Sequence, residues 1–122
     1  MLQASKETQH VLKIAAFFET LPSDRYRQQT FLSTTGERCI CGWTNWLNCK
    51  MPDDVQSARE YLGLTRQQAQ DLFNGYPVDM GLERPDSEDA SRVLRHLAVT
   101  GEVDWSCGQR QQLEYTYSAL EL

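Results

Sequence analysis

The most constraining feature of the chain is a pair of helix-ending and helix-starting signals almost back to back. Tyr61-Leu62 runs into Gly63, the residue type that closes helices in the left-handed conformation. Thr65-Arg66-Gln67-Gln68 follows at once and has the form of a capping box, in which the threonine satisfies free backbone N–H groups and the glutamine reaches back. Two helices joined by so short a link must lie as neighbours. The first draws its apolar side from Val55, Ala58, Tyr61 and Leu62, the second from Ala69, Leu72 and Phe73.

Upstream, Cys39 to Leu47 reads as a small buried helix, since reduced cysteine behaves as a small hydrophobe and Ile40, Trp43 and Leu47 share a stripe. Gly42 weakens such a helix by up to about 1 kcal/mol against alanine. Its place beside a tryptophan points to another backbone or ring passing close by. The rest alternates between helical periodicity and turn chemistry. Ser5 caps a first helix with Val11, Leu12, Ile14, Ala15 and Phe18 facing inward. Leu21-Pro22-Ser23-Asp24 breaks it and starts a short polar helix to Phe31, followed by the turn cluster Ser33-Thr34-Thr35-Gly36. Asn74-Gly75-Tyr76-Pro77 is a turn. Ser87 is the expected cap of the last helix, with Glu88 and Asp89 suited to its first turn, and Gly101 closes it. Trp105 is expected to fold back as an anchor.

These elements predict an all-α fold, a compact bundle of five to six short helices over residues 1–105, with Trp43, Trp46, Phe73, Leu94 and Leu97 in the core. Residues 106–122 form a tail whose Leu113, Tyr115 and Tyr117 alternate as a strand would, while Leu113, Tyr117 and Leu120 suit a helix. A homodimer contact is one use for it. At 122 residues the chain makes one domain and buries about two-thirds of its open-chain surface, enough for a core without disulfides or metal. No apolar run is long enough to span a membrane and no secretory signal is visible, so a cytoplasmic location is expected.

The net charge of −5 is unevenly placed. Residues 1–50 hold six basic and four acidic side chains, and residues 51–122 hold six basic and thirteen acidic. Such a balance disfavours direct nucleic-acid binding and suits a basic protein partner. The densest acidic group is Asp79, Glu83, Asp86, Glu88 and Asp89, offset by Arg84. It is the candidate partner-binding patch, able to steer onto a groove that normally holds nucleic acid. A solvated, solubilising surface is the simpler account of the same residues.

Three chemical readings compete with it. Cys39, Cys41, Cys49 and Cys107 with His10 and His96 lack the paired spacing of a zinc site, so no metal and no cofactor is expected. Cys39 or Cys41 at a helix start would need a lowered pKa and a histidine base to serve as a nucleophile, and neither histidine has a catalytic context. The helices from Ala58 to Phe73 partly match a helix-turn-helix, with Arg66, Gln67 and Gln70 placed to reach base edges. Against that, residues 55–75 are uncharged overall, Arg59 and Arg66 balancing Glu60 and Asp71.

Cys39-Ile40-Cys41-Gly42-Trp43 and the block from Leu62-Gly63-Leu64-Thr65 to Gln68-Ala69 and Leu72-Phe73 resemble a group of small uncharacterised bacterial and phage proteins. Members carry Cys-x-x-Gly-Trp followed by Leu-Gly-Leu-Thr-x-x-Gln-Ala-x-x-Leu-Phe. Thr100-Gly101-Glu102-Val103-Asp104-Trp105 is similar to their C-terminal end, and the likeness covers about residues 10–105. Cys39, Cys41, Gly42, Trp43, Gly63, Leu72 and Phe73 are then structural core. This chain has Thr34 where the group often has a further cysteine, and Cys41 where a small residue is usual. The resemblance implies no particular chemistry. With the small size and acidic second half, it leads to the expectation of a non-enzymatic phage or mobile-element accessory protein. Such a protein binds a macromolecular target, for example as an anti-CRISPR-like inhibitor of a host nucleic-acid-binding defence complex. A small helix-turn-helix regulator is the alternative.

Overall fold

The structure, a computed structural model, describes residues 5–75 and 85–105. Within them the chain is all-α: α1 (Lys6–Thr20), a single 3-10 turn at Ser23–Arg25, α2 (Ile40–Leu47), α3 (Val55–Leu62), α4 (Arg66–Asn74) and α5 (Ser87–Thr100). The expected tail structure, and Asp79 and Glu83, lie outside the described residues.

Helix ends follow local side-chain chemistry. The Ser5 hydroxyl accepts from the Thr8 N–H at 3.1 Å, starting α1. Asp54 caps α3 by accepting from the backbone and hydroxyl of Ser57, bonds that hold its carboxyl below its ordinary range. α3 closes on Gly63 at φ 69°, and the Thr65–Gln68 capping box opens α4 with both bonds formed. The cap of α5 is Asp86, not Ser87. Asp86 and Asp89 bond reciprocally to each other's backbone N–H, which leaves Ser87 as the first helical residue, donating instead to the Leu21 carbonyl at 3.0 Å.

α5 lies antiparallel along α1, and this is the main helix–helix contact of the fold. Val11, Ile14, Ala15 and Phe18 meet Ala90, Val93, Leu94 and Leu97 across it. Glu19 at one end receives hydrogen bonds from Arg95 and Ser91. α3 packs on α1 and α2, and α4 on α2. His10 fixes α1 to α3 through the Tyr61 carbonyl at 2.7 Å and a stacked ring contact with Tyr61 at 3.9 Å. Trp105 does fold back, its indole N–H donating to the Asp71 carbonyl at 2.8 Å.

Two further expectations are corrected. The helix from Asp24 to Phe31 is only the Ser23–Arg25 turn. After it, Tyr26 and Arg38 form a parallel bridge, with Arg27 N–H donating to the Arg38 carbonyl and Arg38 N–H to that of Arg25. Buried Gln28 then reaches the end of α4, donating to the Gly75 carbonyl at 2.7 Å. These nonlocal bonds outweigh a weak local helix preference. Trp46 is the second correction: it is 52 % exposed, whereas Trp43, Phe73, Leu94 and Leu97 are buried as expected.

Candidate functional site

Among the described residues, seven large apolar side chains are exposed, and six fall between positions 31 and 55: Phe31, Leu32, Trp46, Leu47, Met51 and Val55. Single exposed apolar residues are ordinary, but a concentration in one stretch marks a contact surface. The concentration centres on α2 and the loop from Tyr26 to Arg38 that lies beside it.

The loop is held against the helix by close backbone approach at Gly42. Any Cβ there would collide with the Phe31 carbonyl oxygen, so glycine is required. Cys39 N–H donates to the Thr30 carbonyl at 2.7 Å, closing the same junction. The loop turns back through Ser33–Glu37, where the Ser33 and Thr35 hydroxyls donate to the Glu37 carboxylate and bring its pKa down to about 2. Gly36, at φ 97°, leaves room for the Arg25 guanidinium, which donates to the Thr35 carbonyl.

A run of rings passes from the core to this surface. Tyr26 meets Phe18 edge-on at 5.4 Å, Phe18 meets Phe17 at 5.6 Å, Phe17 meets Trp43 at 5.5 Å, and Trp43 meets Trp46 edge-on at 5.3 Å. Trp43 is fixed by donation from its indole to the Arg25 carbonyl at 3.1 Å and by the Arg38 guanidinium 5.5 Å above its ring. Trp46 is therefore an exposed aromatic platform on a rigid support. With Phe17, Leu21 and Leu32 it lines a shallow cavity of about 320 Å³ whose charged members are Arg25 and Arg38.

The other candidate residues go elsewhere. Asp86 and Asp89 are engaged in capping α5, and Asp89 is 5 % exposed with Arg92 at 3.5 Å. Burial pushes its carboxyl up. Asp89 therefore cannot serve in an exposed acidic patch; of the three described acids only Glu88 is well exposed, beside Arg92 at 3.9 Å. Cys39 and Cys41 are buried, and burial pushes both thiols up, Cys41 to about 12. That is the reverse of an activated nucleophile. No group of three or more potential metal ligands occurs among the described residues. Arg66, Gln67 and Gln70 are exposed on α4, with Gln67 bonded to Asp71.

The residues missed by sequence reasoning are Trp46, Leu32, Arg25 and Arg38. One signal for them was present: apolar Phe31-Leu32 sits beside a turn cluster that gives it no helix to be buried on. No protein-family profile, curated protein or solved structure matches the chain. No helix among the described residues is long and apolar enough to cross a membrane.

Proposed function

We propose that the protein is a non-enzymatic binding module that contacts a macromolecular partner through the Trp46 face. The observation that carries this is the grouping of exposed apolar side chains around a braced tryptophan, with Arg25 and Arg38 at its edge. Tryptophan and arginine dominate the energetics of protein interfaces, and a rigid ring loses little entropy on docking. Two cations with no acid among the described lining residues favour a partner segment that is apolar and acidic. The net charge of −5 works against a polyphosphate backbone as that partner. The resemblance carried by Cys39–Trp43 and Leu62–Phe73 supports the narrower version, a phage or mobile-element accessory protein that inhibits a bacterial defence complex in the anti-CRISPR manner.

The test is affinity capture from bacterial lysate, identification of the captured protein, and titration of that purified protein against wild type and Trp46→Ala. Loss of binding by at least about 30-fold, with an unchanged circular dichroism spectrum, is expected. Equal affinity for the variant sinks the proposal. Sedimentation of the protein alone supplies a further check: self-association abolished by Trp46→Ala would assign the face to a second copy instead.

A further inference from the structure

A second concavity lies between α3 and α4, with a volume of about 540 Å³. That is within the range of small-molecule sites, about 300–1,000 Å³. It is lined by residues of α3 and α4, which the tight Gly63–Thr65 turn joins, and by Phe31; α3 rests on α1 and α2, and α4 on α2. Ala69 at the floor is too small to fill the gap, and Phe73 lies beside it. Phe31 and Val55 form the apolar edge, each 38 % exposed. Arg59 projects from α3 and Arg66 from α4. Neither pairs with a carboxylate among the described residues, and no acidic side chain lines the groove. In a chain of net charge −5, two cations on one apolar cavity with no carboxylate among its described lining residues is a specific arrangement.

We infer that this groove binds a small organic carboxylate with an apolar acyl or aryl body. Guanidinium groups hold a carboxylate through paired N–H···O bonds, which fixes the head of such a ligand between the two helices. Its body covers Phe31, Val55, Ala69 and Phe73. Inorganic phosphate satisfies the arginines but gains nothing from that floor. A neutral chain covers the floor but leaves the arginines unpaired. The groove shares Phe31 and Val55 with the exposed apolar stretch around α2, but Trp46, Arg25 and Arg38 do not line it.

The test is titration of the ¹⁵N-labelled full chain with octanoate, octanol and inorganic phosphate, followed by amide shifts. Octanoate is expected to give saturable shifts confined to Phe31 with its chain neighbours and to residues 55–74, with a Kd below about 1 mM, and octanol and phosphate to bind at least about tenfold more weakly. The Arg59→Gln, Arg66→Gln double variant should weaken octanoate by about tenfold or more, and Ala69→Phe, which fills the floor, should abolish it. Trp46→Ala should leave octanoate binding unchanged, which separates this site from the proposed partner face. Non-saturating shifts, shifts centred on Trp46, equal binding of octanol, or an unaffected double arginine variant would each overturn the inference. So would binding of an acidic peptide in the groove that octanoate cannot reproduce.

Discussion

The start of α5 and the face around Trp46 look alike in one respect: each gathers charges of one sign. They differ in what those charges do. At the start of α5, Asp86 and Asp89 are turned onto backbone N–H groups, and Asp89 is buried against Arg92. Around Trp46, Arg25 and Arg38 brace a loop and a ring from above while their charge remains on a surface lined by apolar side chains. Charge counted along a sequence is therefore a poor guide to charge presented to a partner. Acids in a first helical turn have a local use that removes them from the surface field. Arg25 and Arg38 also have local partners, but these are carbonyls and a ring, which carry no net charge, so an acidic protein can carry its usable contact on a basic, apolar face.

The largest expected effect tests that contrast directly. Trp46→Ala should weaken partner binding by about 2–3 kcal/mol, the size of an interface hot spot. Its effect on folding should be smaller, about 0.5–1.5 kcal/mol for the lost edge-on contact with Trp43. Glu88→Lys, which reverses the best-exposed of the three described acids, should change binding less than about threefold. Calorimetry of both variants against one purified partner decides between the regions. A larger loss from Glu88→Lys would return the contact to the acidic stretch.

Next comes the junction that places the face. Gly42→Ala puts a methyl group onto the Phe31 carbonyl, a backbone atom that cannot swing aside. Overpacking of this kind costs about 1–3 kcal/mol, measured as a shift in the urea midpoint. The same variant should reduce partner binding more than its stability loss explains, because Phe31 and Leu32 move with the loop. Unaltered binding in the folded fraction would show that the loop is not part of the contact. Smaller again is Asp86→Ala, which removes the α5 cap for about 1 kcal/mol of stability and leaves binding untouched.

The same contrast explains what was legible in the residues. The all-α class, the Gly63 stop, the Thr65–Gln68 box, the closing Gly101 and the anchoring Trp105 were all readable, because each rests on bonds within a few residues or on one strong apolar group. The need for glycine at 42 was also readable from its place beside Trp43. The α5 cap was misplaced by one residue. Ser87 and Asp86 are both good caps, but only Asp86 has a reciprocating acid three positions on, Asp89, where Ser87 has Ala90. Trp46 was placed in the core because Ile40-Cys41-Gly42-Trp43 and Trp46-Leu47 make α2 apolar on most sides. Trp43 and Trp46 point about 60° apart round the helix, and only the position of the 26–38 loop decides which is covered. That loop is shaped by Tyr26 pairing with Arg38 and by Gln28 reaching Gly75, contacts that no local pattern announces. The usable face was hidden for the same reason.

The finest test sets the two regions against each other in acid. Hydroxyl hydrogen bonds from Ser33 and Thr35 lower the Glu37 carboxyl from an ordinary 4.5 to about 2, so the folded loop prefers it ionised. Its stabilising contribution is complete above pH 4.5 and is lost as pH falls towards 2. Asp89 has the opposite sign. Burial raises its carboxyl, so its contribution is favourable while it is protonated and is lost as pH rises through the folded value. Urea midpoints measured from pH 7 to pH 2 should therefore fall less steeply below pH 4.5 for Glu37→Gln than for wild type. Asp89→Asn should remove part of the penalty at neutral pH and, with that opposing contribution gone, make the fall towards acid steeper than in wild type. Glu37 is half-buried and its attraction to Arg25 is the smallest of the influences on it, so 0.5 M salt should leave the hydroxyl hydrogen bonds in place. Parallel acid limbs for wild type and Glu37→Gln would mean that the turn holding Arg25 over the face is set by its backbone bonds alone, with the carboxylate contributing nothing.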